Sequence, residues 1–260
     1  MFSLGRRKKS TSDEEIERQR YDQYALEELQ LVKIGDAGTA LADISELHKA
    51  PFLKYYDEIS RKIEPGMNVL ELGAGTGRHT SVIYRDAFNL TALDISRKSL
   101  ALLQARLPSV ETLVASMEEI PLPAKSIDMI ISSGSLSYGD PGLVNKEIFR
   151  LLKPGGHLIV LDSLNGNPIY RLNRWLHYAS GKRTKSTISR IPDKARIRSL
   201  SLEFNNSEIF YFGSYLPIME FLQVFLSPAR ANQINLKLEK RYPSKKNAFK
   251  FVLSCSALKN

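Results

Sequence analysis

Short runs of Val, Ile and Leu punctuate the middle of the chain: NVLEL (68–72), LTALDI (90–95), VETLVAS (110–116), IDMIIS (127–132) and HLIVLDS (157–163). Near-continuous apolarity over so few residues is the pattern of a strand buried on both faces, as in a parallel sheet. Between the runs, SRKSLALLQARL and GLVNKEIFRLLK carry apolar residues at helical spacing, and PGG closes the second, so helices join the strands. The alternation predicts an α/β domain whose doubly wound sheet binds ligands at the carboxyl ends of its strands. The rhythm stops after residue 163 and resumes with SEIFYFG (207–213), a helical stretch and AFKFVLSCSAL (248–258).

Upstream, residues 1–12 are polar, basic and without period, the composition of a disordered tail. Ser12 followed by Glu15 reads as a capping box that opens a mostly polar helix from Asp13 to about Val32. A second helical region, ALADISELHKAPFLKYYDEISRKI, leads to the turn EPGM. The expected organisation is a tail over 1–12, an N-terminal helical lid over 13–62 and a main domain over 63–260. An insert at about 163–203 interrupts that domain.

Composition changes this picture in two places. No apolar run approaches the ~18 residues needed to cross a membrane, and MFSLGRRKKSTSDEE has no apolar segment after its charges, so a cytoplasmic protein without a secretory signal is expected. The single cysteine, Cys255, sits in an alternating apolar segment and reads as a core residue. The net charge of +9 is local: Arg6 to Lys9 supply four positives, and residues 171–198 hold nine Lys or Arg against Asp193 alone. The rest of the chain is slightly acidic, which argues against a general nucleic-acid binder and leaves the basic insert to be explained.

The candidate chemistry starts at VLELGAGTGRHT (69–80). A dinucleotide fold places its glycines as G-x-G-x-x-G, with a pyrophosphate at the helix N-terminus. Here Gly73, Gly75 and Gly77 alternate and residue 78 is Arg, so the spacing fails by one. Glu71, at the strand end, would repel a pyrophosphate and attract a ligand carrying an ammonium and a sulfonium. Asp94 ends the second run, where a carboxylate can bind both hydroxyls of a ribose at an open edge of the sheet, with Ile95 beside it for an adenine. The pattern points to a cationic nucleoside.

These segments resemble the class I S-adenosylmethionine-dependent methyltransferases, and within them the small-molecule subgroup called type 11. VLELGAGTGRHT is similar to their motif I, LTALDIS to motif II, VASMEEIPLPAKSIDMIISSGSLSY to the third and fourth motifs, and LLKPGGHLIVLD to the segment entering strand five. The resemblance implies S-adenosylmethionine as cofactor and a Rossmann-like sheet of seven strands with a reversed last strand. By position, Glu71, Gly73, Ala74, Gly75 and Gly77 would cradle the methionine part, Asp94 the ribose, and Ile95 and Met117 the adenine; Ser132 is a further cofactor candidate. Ser116 stands where many members have an acid for the adenine amino group; its hydroxyl or a nearby carbonyl would accept instead.

Methyl transfer from a sulfonium needs mainly alignment of donor and acceptor. The strand-four segment Ser132-Ser133-Gly134-Ser135 lacks the Asn/Asp-Pro-Pro-aromatic motif of base-amino methyltransferases, which disfavours nucleic-acid bases. An alcohol acceptor benefits from a general base. Asp162, closing strand five, and His177, in the insert, are the candidates, although Asp162 could equally cap a loop and His177 could be a packing residue. His79 reads as helix surface. Tyr138 is a candidate for the acceptor pocket. No metal-ligand spacing is found, so no catalytic metal is expected.

The insert NPIYRLNRWLHYASGKRTKSTISR and the stretch FGSYLP resemble, more loosely, methyltransferases of bacterial polysaccharide and O-antigen clusters. That resemblance implies an anionic, nucleotide- or lipid-linked sugar. The cluster Arg171, Arg174, Lys182, Arg183, Lys185 and Arg190 would then face it, with Arg174 and Arg183 gripping its phosphate oxygens; Tyr170 and Trp175 would stack on it, and Trp175 would help close the pocket. Other readings stay open: quinone or lipid methylation served by YLPIMEFLQVFL (215–226), for which an ordinary core helix is the safer interpretation; a non-catalytic methyltransferase-fold partner subunit; and peripheral membrane contact through the basic tail and insert.

Overall fold

The computed structural model describes residues 13–31, 41, 44–179, 185–242 and 245–258. Its centre is β1 (Asn68–Leu72), the strand that ends at the glycine loop. Around it lie β2 (Asn89–Asp94), β3 (Glu111–Val114), β4 (Ile127–Ser133), β5 (Leu152–Ser163), β6 (Phe204–Phe212) and β7 (Lys250–Leu258). They form one sheet in the order β3-β2-β1-β4-β5-β7-β6. The pairs among β1 to β5 are parallel, whereas β7 runs antiparallel to both β5 and β6. The expected seven-stranded Rossmann-like sheet with a reversed last strand is therefore present.

Successive residues of a strand face opposite sides. Leu70, Leu72, Ile130, Leu158 and Val160 accordingly enter one core, and Val69, Met129, Ile131, Ile159 and Leu161 the other. Both faces need apolar residues, which is why NVLEL and HLIVLDS show so little alternation. β3 departs from the expectation of burial on both faces: it is an edge strand, and Val114 is exposed.

The helices are α1 (Asp13–Leu31), α2 (Ala50–Lys62), α3 (Thr80–Ile83), α4 (Arg97–Arg106), α5 (Pro141–Leu151), α6 (Pro168–Ala179), α7 (Lys185–Ser189), α8 (Lys194–Leu202), α9 (Leu216–Leu222) and α10 (Pro228–Arg241). The expected capping residue Ser12 and the basic tail lie outside the described residues. The second helical region starts later than its pattern predicts, with a 3-10 turn at Glu46–His48 before α2. Pro51 explains this, because a proline lacks the N–H needed to continue a helix from a preceding turn and is accommodated in a first turn. No described helix is long and apolar enough to cross a membrane.

The segment after β5 is helical, comprising α6, α7 and α8. The stretch 215–226 is not a core helix: Leu216 and Met219 of α9 are buried, while Ile218, Phe221, Val224 and Phe225 are exposed.

Candidate functional site

The loop after β1 needs its three glycines for two different reasons. All three have positive φ, at +67° for Gly73, +56° for Gly75 and +82° for Gly77, a region that side chains strain to enter. A Cβ on Gly73 would meet Ser135 Cβ at 2.3 Å, and one on Gly77 would meet Leu103 Cγ of α4 at 2.7 Å. Those two glycines let protein pack against protein. A Cβ on Gly75 would meet nothing within 4 Å, and Gly75 lines the cavity. Gly75 is thus the backbone left bare toward a ligand.

Asp94, at the end of β2, is tied to this loop. Its Oδ2 accepts from Gly75 N at 2.9 Å and its Oδ1 from Ser96 N at 2.8 Å. It is buried rather than at an open edge, and burial raises its pKa against the pull of these backbone donors. Each carboxylate oxygen retains a lone pair, so the pair of ribose hydroxyls remains compatible with the observed bonds.

Glu71 lies one residue out of phase with Leu70 and Leu72, on the face that α2 covers. Its Oε2 accepts from Thr80 Oγ1 at 2.6 Å. Burial first, and the nearby Asp94 charge, raise its pKa to about 7 despite the Thr80 bond. Glu71 is not part of the cavity wall.

The cavity has a volume of about 860 Å³, within the range for a ligand of cofactor size and more. Ala74, Gly75, Asp94, Ile95, Ser116 and Met117 line it together, so most of the sequence-derived cofactor set converges. α1 forms the roof, held by polar contacts: Arg106 Nη2 donates to Glu28 Oε1 at 2.6 Å, Ser96 Oγ to Asp22 Oδ1 at 2.6 Å, and Thr187 Oγ1 to Glu17 Oε1 at 2.7 Å. Tyr21 of α1 meets Tyr138 edge-on with ring centroids 5.4 Å apart. Acidic residues outnumber arginines in the wall: Asp13, Glu14, Glu17, Glu28, Asp94 and Glu118 against Arg78 and Arg190. Such a wall favours a cationic ligand.

Residues 70–160 match a family described as a methyltransferase domain. An uncharacterized methyltransferase of Mycobacterium bovis is 37% identical over 90 residues, covering 35% of this chain and 37% of the relative. A demethylmenaquinone methyltransferase of Thermotoga maritima is 32% identical over 124 residues, covering 44% and 54%. The fold extends further: geranyl diphosphate C-methyltransferase from Streptomyces coelicolor superposes with a TM-score of 0.63 over 96% of this chain and 99% of that one, at 14% identity. Residues 70–160 are thus similar to methyltransferase domains, and the chain as a whole has the fold of a solved methyltransferase. The sequence matches span only about a third to a half of these relatives' own length.

The residues of the methyltransferase domain fit S-adenosylmethionine: a bare backbone at Gly75, a carboxylate at Asp94 and an acidic wall around them. Ser132 does not reach the cavity. It is fully buried, and its hydroxyl bonds Ser135 Oγ at 2.7 Å, which in turn donates to Leu72 O. Ser133, Gly134 and Ser135 line the wall in its place.

The acceptor side of the domain departs more strongly from expectation. Asp162 is buried outside the cavity wall, accepting from Leu136 N at 3.1 Å and Ser163 N at 2.6 Å, so it orders the loop after β4. Arg174 is buried as well, donating to Leu164 O at 3.1 Å and lying 5.6 Å from the Phe249 ring centroid. Tyr170 stacks on Phe249 at 3.9 Å and donates to Glu220. Arg171 and Trp175 are exposed and outside the wall. Lys182, Arg183 and the side chains of His177 and Lys185 lie outside the described residues.

Two further wall residues carry chemistry: His79, which the sequence read as helix surface, and Arg190, one of the basic cluster expected to face the acceptor. His79 is neutral across ordinary pH, since burial and then the charges of Lys250 and Arg78 lower its pKa to about 4. Its Nδ1 bonds Tyr56 OH at 2.6 Å and its ring stacks on Phe52, so α2 fixes the imidazole. Arg190, following α7, lines the cavity beside Tyr138 and donates to Tyr138 O at 3.2 Å. His79 sits just past the glycine loop, which was its available signal; Arg190 was named only as part of the basic cluster, and nothing local set it apart from Arg171 or Arg174.

Proposed function

We propose that the protein is a methyltransferase that uses S-adenosylmethionine to methylate a hydroxyl of a small acceptor bound in the α1-roofed cavity. The observation that carries this reading is the convergence of Gly75 and Asp94 with His79, Tyr138 and Arg190 on one cavity wall. The cofactor, when bound, supplies an activated methyl on a sulfonium, so the chain has to align an acceptor, exclude water and accommodate a proton. α1 and α2 exclude water. His79 replaces Asp162 as the candidate hydrogen-bond acceptor for the hydroxyl: with its proton on Nδ1 and donated to Tyr56, Nε2 accepts. Its low pKa makes it a positioning partner rather than a strong base.

For the acceptor we infer an anionic, lipid- or nucleotide-linked sugar. Arg190 and Arg78 are the wall's arginines and would receive its anion; Arg174 is committed elsewhere. The geranyl diphosphate and phosphoethanolamine named for two fold neighbours are likewise small and anionic. A quinone or lipid acceptor is the second reading, favoured by the aromatic wall of Tyr21, Tyr24, Phe52 and Tyr138 and by the demethylmenaquinone methyltransferases among the relatives. The test is titration calorimetry with S-adenosylhomocysteine, followed by mass-spectrometric screening of phosphorylated and lipid-linked sugars and of quinones for a methyl gain. Absence of S-adenosylhomocysteine binding would remove the reading altogether. A gain on quinones alone would select the second.

A further inference from the structure

Helix α6 is amphipathic with its faces reversed. Ile169, Leu172, Trp175 and Leu176 recur on one stripe, and all four are exposed, with Trp175 at 58%. Arg174 and the stacked ring of Tyr170 lie on the packed side. A helix that turns its arginine inward and its tryptophan outward lacks a partner for its apolar stripe among the described residues.

α9 adds to the same surface. Tyr170 of α6 donates to Glu220 of α9 at 3.1 Å, so the two helices are neighbours. Beside that contact Phe221, Val224 and Phe225 are exposed, Val224 at 76% and Phe225 at 74%. The two rings lie 6.2 Å apart. Both helices follow strands that end at the carboxyl edge of the sheet, α6 after β5 and α9 after β6. That is also the cavity's edge.

The charges around this apolar surface are mostly positive, with Glu220 of α9 the exposed acid at its inner edge. Arg171 is exposed on α6, and residues 223–247 carry Arg230, Lys237, Lys240, Arg241, Lys245 and Lys246, all exposed. Their single acid, Glu239, is turned in to accept from Gly213 N. Exposed Trp, Phe, Leu and Ile ringed by cations form the pattern of a segment that lies in the headgroup region of an anionic bilayer. A second copy of the chain would bring like charges together.

We propose that α6 and α9 form a docking surface for an anionic lipid bilayer, with Trp175, Phe221 and Phe225 entering the interface. The docking stands independently of the methyl-transfer reading, and it places the cavity edge at the membrane.

Trp175 is the chain's only tryptophan, so it reports on this surface without a label. The full-length protein is titrated with vesicles of equal parts phosphatidylglycerol and phosphatidylcholine, and separately with phosphatidylcholine alone. The expected result is a blue shift of emission and quenching by brominated acyl chains with the anionic vesicles, reduced by added salt. Phe221→Ser combined with Phe225→Ser, which leaves the reporter in place, should weaken partitioning at least roughly tenfold. Circular dichroism should be unchanged, since both rings are exposed. Unshifted emission with anionic vesicles overturns the proposal. So does a dimer in sedimentation equilibrium whose dissociation restores exposed-tryptophan emission, because the surface then belongs to a second copy.

Discussion

The loop after β1 and the helix after β5 stand at the same edge of the sheet, yet they obey different logic. In the loop, polar and small residues are where chemistry wants them: Gly75 is bare toward the cavity and Asp94 holds it there through Gly75 N. In α6 the expected roles are exchanged, with Arg174 packed inside and Trp175 outside. The loop's constraints come from β1, β2 and the start of α4, a stretch of about thirty residues whose geometry follows from the βαβ unit. The placement of α6 depends on Leu164, Phe249 and Glu220, which come from three separate parts of the chain. A charge run therefore says where cations are, but not which of them face a ligand.

The sharpest attack on this comparison is Asp94→Ala. It removes the acceptor for two buried backbone N–H groups as well as a ribose partner. Hydrogen bonds to a charged group are worth ~1.5–3 kcal/mol each, so S-adenosylhomocysteine affinity should fall at least roughly a hundredfold in calorimetry. The melting temperature should fall with it. A loss of affinity at unchanged melting temperature would mean that Asp94 serves the ligand alone.

The glycines separate ligand space from packing space. Gly77→Ala drives a Cβ to 2.7 Å from Leu103 Cγ and should cost ~1–3 kcal/mol of stability in denaturant unfolding. Gly75→Val meets no protein atom, so apart from backbone strain of about 1–2 kcal/mol it should act chiefly on cofactor affinity. Equal effects of the two changes would erase the distinction.

Glu71 sharpens the electrostatic side. Its pKa is raised to about 7, against roughly 4.3 when unfolded. The folded chain therefore binds this proton more tightly, and the resulting destabilisation is absent below the unfolded value, grows through the interval and is complete above about 7. Glu71→Gln should be more stable than the parent at about pH 8, by ~1–3 kcal/mol, and should lose that advantage near pH 4. Because a cationic ligand favours the ionised form, parent affinity for S-adenosylmethionine should rise with pH through about 7 and stay flat in the variant. Parallel profiles would show that the carboxylate does not sense the ligand.

Smaller effects test the insert. Arg174→Ala removes a buried donor to Leu164 O and should cost ~1–3 kcal/mol in stability while leaving acceptor KM unchanged. Arg190→Ala should raise acceptor KM at unchanged cofactor affinity. Trp175→Ser should shift stability by no more than about 0.5 kcal/mol, as for other exposed positions. A raised KM in Arg174→Ala would restore the original reading of the insert.

What the sequence determined by itself was whatever local periodicity and short-range sterics control. Paired-face burial makes strands such as NVLEL and HLIVLDS legible as apolar runs, and three alternating glycines between an acid and a helix leave few backbone solutions. Gly75, Asp94, Ile95 and Met117 line one cavity accordingly. The tertiary structure alone decided which side chains were left over. Asp162 could have been a base or a loop anchor until Leu136 N and Ser163 N took both of its oxygens. His79 read as surface until α2 brought Tyr56 and Phe52 against it, a contact between residues more than twenty apart. α9 read as core until the fold covered only Leu216 and Met219. In each case the physical reason is the same: hydrogen-bond and packing partners that arrive from distant sequence leave no periodic trace in the segment they satisfy.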